Sequence, residues 1–332
     1  MRKAKVKKII LDQYGSYLGM EKGCFIKKSK NGKVEKYPLF EEEIGEVILK
    51  SGNMVSTGVL ASLGFWEIDT MIMTRRGKPV AMLKSLEYDT YVKTRLCQYE
   101  IYLKDRMQIA TELVTGKLKG QNQVLRKYGL KQHNFKVETD NIRRLLWIEG
   151  KYSRDYFQQI FQLFPKWLNP HLRKTYKTYD GLNNTFNLAY EILKWKVHIA
   201  LIKAKVEPYL GFLHSLTRST PSLVCDFQEL YRYLIDDFLI RYCQRLRKKD
   251  FILKWETFSK KRKGKRQFLN NEQTKELMKS LGLLFEKKVE IPRIRRGQRQ
   301  TIETLINEEA LLFAKYIRGE RGIWIPRIVT LD

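Results

Sequence analysis

The sequence lacks the features that identify several classes of protein. No apolar run approaches the roughly 20 residues that cross a membrane, and the basic start MRKAKVKK precedes only three apolar residues, too few for a signal-peptide core. The four cysteines include no C-x-x-C pair, which leaves zinc ribbons and redox motifs without support. Reduced thiols in a cytosolic protein are therefore expected. No glycine-rich phosphate-binding loop supports nucleotide hydrolysis.

Acidic residues are scarce relative to basic ones. The 332 residues contain 64 Lys and Arg against 36 Asp and Glu, which gives a formal net charge of +28. Such an excess favours polyanionic partners, because each neutralised phosphate releases counterions. An anionic membrane surface would require a basic amphipathic helix or a lipid anchor, and the sequence has no clear candidate for either. Nucleic acid is therefore the expected partner, and no membrane is.

The sequence pattern changes near residue 85. Before it, short β-rich segments separated by turn signals such as Lys22-Gly23 and Asn31-Gly32 predict a small, mostly antiparallel β domain over residues 1–85. Within this domain, STGVLASLGFW predicts one short helix. From residue 86 to 332, helical periodicity predicts a larger all-α domain, so the expected fold class is α+β. Its helices are predicted over residues 90–113, 139–164, 184–205, 221–248 and 300–316.

One basic run stands out in the second domain. In KKRKGKR, residues 260–266, Gly264 is the only uncharged residue. The run is predicted to form a loop between helices, either simply solvated or in contact with phosphates. The candidate DNA-binding residues from this run and from an earlier loop are Lys260, Lys261, Arg262, Lys263 and Arg218.

A glutamate lies within an apolar stripe of the helix predicted over residues 139–164. At helical spacing Glu149 shares this stripe with Leu145, Tyr152, Tyr156 and Ile160. A carboxylate in such a seam needs a hydrogen bond, a counter-charge or a metal. A salt bridge with one of the many arginines is the simplest interpretation of Glu149 considered alone.

Two further acids and a histidine lie in the mainly apolar stretch LGFLHSLTRSTPSLVCDFQE. Asp226 and Glu229 are three residues apart on a predicted helix and project from one side, while a loop can fold His214 back toward them. Arg232 offers Glu229 an internal ion pair, and His214 alone would be a core histidine. Together with Glu149, however, His214 and Asp226 form a candidate site whose donors suit Mn²⁺ or Mg²⁺. Such a metal would act as a Lewis acid on a phosphodiester.

Four segments occur in an order that resembles a known family. WIEGKYSRDYF, DGLNNTFNLAYEIL, VEPYLGFLH and CDFQELYR resemble CRISPR-associated protein one, the integrase of spacer acquisition, and the resemblance covers most of the chain. It implies that Glu149, His214 and Asp226 are the catalytic and metal-binding residues, with Mn²⁺ or Mg²⁺ as cofactor. The supporting residues that it implies are Glu229, Arg232, Asn183 and Tyr190. The nearest candidates for a basic position before Asn183 are Arg173 and Lys177.

The resemblance also implies an assembly and a reaction. It implies a prokaryotic, cytoplasmic homodimer whose β domains pack together, with two dimers flanking a dimer of CRISPR-associated protein two. The assembly would carry a short double-stranded DNA, the prespacer, whose 3′-hydroxyl ends attack phosphodiesters of the repeat array. The expected chemistry is metal-dependent transesterification, with endonuclease activity when water replaces the hydroxyl.

Two other functions are compatible with parts of the sequence. A tyrosine recombinase would act on the same substrates, but its usual H-x-x-R spacing is missing. Three residues separate His214 from Arg218, which gives H-x-x-x-R instead. A non-catalytic nucleic-acid-binding protein would use the buried acids only as salt-bridge partners. The tail at residues 317–329 either docks a partner protein or packs on its own domain, and its lone tryptophan favours packing.

Overall fold

The fold is mixed α+β, with a β-rich unit followed by a mainly helical one. The computed structural model describes residues 7–39, 43–75, 78–85, 92–168, 170, 172–176, 178–214, 220–259, 262–290 and 299–331. The chain divides into two compact units, Met1–Thr90 and Tyr91–Asp332. The α+β prediction is confirmed at this level. In the part of the chain given by these ranges, no helix is long and apolar enough to cross a membrane.

The N-terminal unit contains two four-stranded sheets. Its described elements are β1 (Lys7–Leu11), β2 (Tyr17–Glu21), β3 (Cys24–Lys28), β4 (Val34–Pro38), β5 (Ile44–Lys50), β6 (Met54–Val55), α1 (Thr57–Phe65), β7 (Asp69–Met73) and β8 (Pro79–Leu83). The strand orders are β1-β5-β7-β8 and β4-β3-β2-β6. The predicted short helix is confirmed as α1.

The prediction of a mostly antiparallel domain is correct for only half of the strand pairs in the described residues. The pairs β1–β5, β5–β7 and β2–β6 are parallel, whereas β2–β3, β3–β4 and β7–β8 are antiparallel. Parallel pairing arises where a crossover returns the chain in its original direction, as β6 and α1 do between β5 and β7. The two predicted glycine turns are confirmed between β2 and β3 and between β3 and β4, with positive φ angles of 75° at Gly23 and 82° at Gly32.

The C-terminal unit is mainly helical, but its described residues also form two pairs of antiparallel strands. Its described elements are α2 (Val92–Lys104), α3 (Met107–Lys127), α4 (Ile142–Phe161), α5 (Gly181–Lys203), α6 (Ser222–Glu229), α7 (Arg232–Cys243), β9 (Phe251–Ser259), β10 (Arg262–Leu269), α8 (Asn271–Glu286), β11 (Lys288–Glu290), β12 (Arg299–Thr301) and α9 (Ile302–Ile317). Strand β9 pairs with β10, and β11 with β12, in antiparallel orientation. The all-α prediction for this domain is therefore wrong in these segments.

Three predictions of local structure in this unit need correction. The basic run does not lie between helices, because its described residues 262–266 belong to β10. The helices predicted over residues 90–113 and 221–248 are each broken, giving α2 and α3 in the first case and α6 and α7 in the second. Helix α8 was not predicted. Continuous apolar periodicity does not reveal a short break where the chain changes direction.

Helix α5 lies at the centre of the C-terminal core. It packs against α6, α7, α8, α9 and strand β10, while α3 packs against α4, α6 and α7. The buried residues of α5 include Phe186, Leu193 and Val197, which belong to one continuous hydrophobic cluster. This packing holds α3, α4 and α6 beside one another, and their polar side chains meet in the candidate site.

Candidate active site

Asp226 organises the segment that carries His214. Its carboxylate is fully buried on α6. Oδ2 accepts hydrogen bonds from the backbone N–H groups of Phe212 at 2.6 Å and Leu213 at 3.0 Å. Oδ1 accepts one from the backbone N–H of His214 at 3.0 Å and lies 2.6 Å from its ring Nδ1. The predicted proximity of His214 and Asp226 is confirmed, and Nε2 is the ring nitrogen left for a ligand.

Gly211 allows this segment to approach α6. A Cβ atom at Gly211 would lie 2.7 Å from the carbonyl carbon of Ser222 and 2.8 Å from Oδ2 of Asp226, closer than real Cβ contacts. The backbone N–H of Leu223 donates to the carbonyl oxygen of Pro208 at 3.0 Å. In the segment P-x-x-G-x-x-H, the proline is therefore hydrogen-bonded to the start of α6, the glycine allows close approach, and the histidine lies beside the buried Asp226.

Glu149 and Glu229 meet at the ammonium group of Lys117. Lys117 on α3 forms an ion pair with Oε1 of Glu149 and lies 2.7 Å from Oε2 of Glu229. The side chain of Lys117 is 11% exposed, that of Glu149 18% and that of Glu229 4%. The half-buried position predicted for Glu149 is confirmed, with Leu145 on the same stripe fully buried. The sequence interpretation missed Lys117.

A sequence signal for Lys117 existed. It lies four residues after the buried Leu113 and three before the buried Gly120, on the apolar side of α3. A lysine in such a seam raises the same question as Glu149, because a buried ammonium needs an anion. Because the helix predicted over residues 90–113 ends before Lys117, the test that selects Glu149 reaches this lysine only when the helix is extended to Lys127, where α3 ends.

Glu229 is held between two cations. Arg232 lies on its other side, with Nη1 2.5 Å from Oε1. Burial by itself raises the pKa of Glu229, but the charges of Arg232 and Lys117 outweigh it and lower the pKa to about 2. Burial likewise lowers the pKa of Lys117, and the charges of Glu229 and Glu149 raise it above its ordinary value. Both Glu229 and Lys117 are therefore charged at neutral pH.

The His214–Asp226 pair and the Lys117 cluster are electrostatically connected. Burial lowers the pKa of His214, but the hydrogen bond to Asp226 and the charges of Asp226 and Glu229 raise it above its ordinary value. His214 in turn helps to lower the pKa of Glu229. The structure thus brings Glu149, Glu229 and Arg232 together through the unpredicted Lys117, and it pairs His214 with Asp226. The charge of Glu229 acts on His214 and connects the two groups.

The donor types of this cluster fit a hard divalent cation. Carboxylates with one imidazole and no thiolate suit Mn²⁺ or Mg²⁺. Oε2 of Glu229 is buried and, despite the nearby ammonium, receives no well-directed hydrogen bond from the described residues. The same residues contain no group of three His, Cys, Asp or Glu side chains positioned to hold a metal as they stand. The metal-binding role of Glu149, His214 and Asp226 stays a prediction.

Asn183 and Arg173 fix the chain before α5. Arg173 donates to the side-chain oxygens of Asn183 at 2.9 Å and Asn187 at 2.7 Å. Asn183 donates to the carbonyl oxygen of Leu172 at 2.9 Å. The guanidinium of Arg173, a candidate DNA contact, is thus engaged with residues of α5. Burial lowers the pKa of Arg173.

The other candidate DNA contacts have no described side chains. Lys177, Arg218, Lys260 and Lys261 lie outside the described residues. Arg262 and Lys263 contribute backbone to β10, but their side chains also lie outside what the structure describes. Their predicted contacts with DNA stay predictions.

Tyr190 forms a hydrogen bond to another buried acid, Asp236. The hydroxyl of Tyr190 donates to Oδ1 of Asp236, and that of Tyr156 donates to Oδ2 at 2.7 Å. The guanidinium carbon of Arg232 lies 4.8 Å from the centroid of the Tyr190 ring. Burial raises the pKa of Asp236 from 3.8 to about 6, although both tyrosine hydroxyls act to lower it.

Asp236 is expected to make stability depend on pH. Between pH 4 and 6 the folded protein keeps a proton on Asp236 that the unfolded chain releases, so the free energy of unfolding falls as the pH rises. The pKa of Asp236 differs by about two units between the folded protein and the unfolded chain, which corresponds to a change in the free energy of unfolding on the order of 3 kcal/mol. Between pH 4 and 6, urea unfolding should show that the free energy of unfolding falls less steeply with pH in Asp236→Asn than in wild type. The exposed Glu138→Gln should follow wild type, and equal slopes for all three would contradict the assignment.

The C-terminal tail packs on its own unit. Trp324 is 4% exposed, stacks on Phe227 with ring centroids 5.5 Å apart, and contacts Phe313 at 4.8 Å. Its indole N–H donates to Glu309 at 2.8 Å. The favoured interpretation of the tail is confirmed, and its anchor lies against α6.

Comparison with known proteins identifies sequences and folds to which the chain is similar. Residues 9–279 match the family described as CRISPR associated protein Cas1. A CRISPR-associated endonuclease Cas1 of Saccharolobus solfataricus is 30% identical over 237 residues, 71% of this chain and 75% of that relative. A casposase bound to an integration product has a similar fold, with a TM-score of 0.68, 19% identity and coverage of 96% and 97% of the two chains. A chain of a partial Cas6-RT-Cas1–Cas2 complex gives a TM-score of 0.73 at 17% identity, covering 99% of this chain and 100% of that one.

Proposed function

The chain belongs to the Cas1 family of CRISPR-associated proteins, and we propose that it is a metal-dependent DNA endonuclease and integrase of CRISPR adaptation. It joins the 3′-hydroxyl ends of a double-stranded prespacer to the repeat array by transesterification. The observation that carries the proposal is the pair of partly buried charged contacts, Glu149 with Lys117 and His214 with Asp226, in a protein of net charge +28. A relative named as an endonuclease and a similar fold in a casposase bound to an integration product support it.

The proposal includes the partners expected from the sequence. The protein works as a homodimer in the prokaryotic cytoplasm and binds double-stranded DNA together with CRISPR-associated protein two. The similar fold of a chain in a Cas1–Cas2 complex supports this partner. The excess of positive charge supports binding to DNA, since phosphate contacts gain free energy by releasing counterions.

Each residue of the cluster has a defined task in this proposal. Bound Mn²⁺ or Mg²⁺ supplies Lewis-acid activation of the attacking hydroxyl and neutralises charge on the phosphate. Glu149, His214 and Asp226 hold the cation. Asp226 fixes the imidazole of His214 through Nδ1, which selects the other ring nitrogen as the donor. Arg232 keeps Glu229 ionised beside them.

A strand-transfer assay tests this function. The substrates are a labelled duplex with free 3′-hydroxyl ends and a supercoiled plasmid, incubated with wild-type protein in Mn²⁺, Mg²⁺ or EDTA. Joining is expected only with metal and should fall about 100-fold or more in Glu149→Ala and His214→Ala, because each removes a group that acts on the reacting phosphate. Asp226→Ala should be equally inactive. Circular dichroism checks folding, and the exposed Glu138→Gln serves as the control.

One observation favours an alternative function. Glu149 and Glu229 are paired with Lys117 and Arg232, as expected for a non-catalytic nucleic-acid-binding protein with structural buried acids. Under this alternative, DNA binding survives EDTA and no joining occurs with any metal. Joining that persists in folded Glu149→Ala and His214→Ala would equally remove these residues from catalysis.

A further inference from the structure

Lys117 occupies a position that a metal-binding role does not explain. Its ammonium group lies between the carboxylates of Glu149 on α4 and Glu229 on α6. Only 11% of its side chain is exposed, so the charge depends on these two anions for compensation. Glu229 also has Arg232, and Glu149 also accepts a hydrogen bond from Ser153 at 2.8 Å. Lys117 is the one cation that contacts both glutamates among the described residues.

Lys117 compensates the charge of Glu229 at close range, although its ammonium group is poorly directed toward the buried oxygen. The ammonium lies 2.7 Å from Oε2, yet this buried oxygen receives no well-directed hydrogen bond from the described residues. A buried carboxylate oxygen in this condition normally has an explanation, such as an ion that binds there. The same space therefore contains a cation in the protein alone and an acceptor suited to another cation.

We propose that Lys117 is an internal cation that occupies the acidic cluster when no metal is bound, and that a divalent cation enters only by displacing its ammonium group. The inference rests on the proposed function in one respect, namely metal binding by this cluster. Within that function Lys117 regulates occupancy of the site. It acts through Glu149 and Glu229 and is a positioning residue.

Competition between the two cations predicts the direction of the effect. An ammonium group in contact with both glutamates repels a divalent ion at short range, and this repulsion is strong where water is largely excluded. The apparent metal affinity is then the intrinsic affinity reduced by the fraction of molecules whose ammonium is displaced. Removing the charge should raise metal affinity while it destabilises the metal-free protein. A merely structural salt bridge would produce the second change without the first.

Two uncharged variants and one charged variant separate these roles. Lys117→Met keeps an unbranched side chain without charge, Lys117→Gln adds the ability to donate a hydrogen bond, and Lys117→Arg retains the positive charge. For each full-length protein, Mn²⁺ binding is measured by the electron paramagnetic resonance signal of free Mn²⁺. The melting temperature is measured in EDTA and in saturating Mn²⁺, with circular dichroism as the test of folding.

The inference predicts opposite changes in the two measurements. Lys117→Met should bind Mn²⁺ about tenfold more tightly than wild type or better, and should melt several degrees lower in EDTA. Saturating Mn²⁺ should restore much of this loss, because tighter binding stabilises the folded state. Lys117→Arg should stay close to wild type in both measurements. Lys117→Gln should follow Lys117→Met and replaces it if the methionine variant does not fold.

The outcomes distinguish failure of the inference from failure of the proposed function. If wild type binds Mn²⁺ and the folded uncharged variants bind it equally or more weakly, the inference is wrong while metal binding stands. If neither wild type nor any folded variant binds Mn²⁺, the inference and the proposed metal dependence are both wrong. Binding by the uncharged variants alone would support the inference directly, since the ammonium would then be the obstacle.

Discussion

Replacement of Asp226 by alanine is expected to lower the free energy of unfolding of the C-terminal unit by about 3–5 kcal/mol. The carboxylate accepts hydrogen bonds from the backbone N–H groups of Phe212, Leu213 and His214, and it is fully buried. Alanine leaves these N–H groups without their acceptor, and water does not readily replace it at a buried position. Urea unfolding followed by circular dichroism measures the loss.

Asp226→Asn is the matched comparison for this prediction. Its amide retains one oxygen acceptor but places an NH₂ group either against the two backbone donors at Oδ2 or against the backbone N–H and ring Nδ1 of His214 at Oδ1, so an intermediate loss of stability is expected. Wild-type stability in Asp226→Ala would contradict the structural role of the carboxylate. The prediction also affects the strand-transfer assay. Inactivity of Asp226→Ala alone does not identify a metal ligand, whereas loss in Glu149→Ala, whose side chain is partly exposed, is more specific.

The sequence predicted those parts of the site that local spacing determines. Glu149 was identified because a carboxylate interrupted an apolar stripe on one helix, and that helix exists as α4. His214 and Asp226 were connected by a short stretch that leaves the chain few alternatives, and Gly211 explains why the two residues can approach so closely. Spacing within a helix or across one short loop is information that a single sequence contains.

The missing parts depend on contacts between distant segments. Lys117 is 32 residues from Glu149 in the sequence, and its role follows from the packing of α3 against α4 and α6. Parallel pairing of β1 with β5 likewise depends on the direction in which the chain returns after β2, β3 and β4. The charge of the basic run predicts a loop, but pairing with β9 makes its described residues part of a strand. Tertiary context overrides local composition in all three cases.

Replacement of Trp324 by alanine is expected to destabilise the C-terminal unit by about 3–5 kcal/mol, the range for removing a large buried aromatic side chain. The indole packs on Phe227 and Phe313, and its N–H group donates to Glu309, which is 1% exposed. The substitution therefore leaves a cavity and removes one of the hydrogen bonds of a buried carboxylate. Thermal unfolding and urea unfolding measure the loss.

Because Trp324 packs on Phe227 of α6, the loss of stability in Trp324→Ala should also affect the candidate site. Phe227 lies on α6 between Asp226 and Glu229, so a cavity beneath Phe227 removes support from the helix that carries both acids. We expect the joining activity of Trp324→Ala to be lost at a lower temperature than that of wild type. The neighbouring Ile323, which is 63% exposed, provides the control, and Ile323→Ala should change stability by less than about 0.5 kcal/mol. Equal stability of the two variants would show that the tail is not anchored through its tryptophan, and the support of α6 would then have to come from α3, α5 and α7.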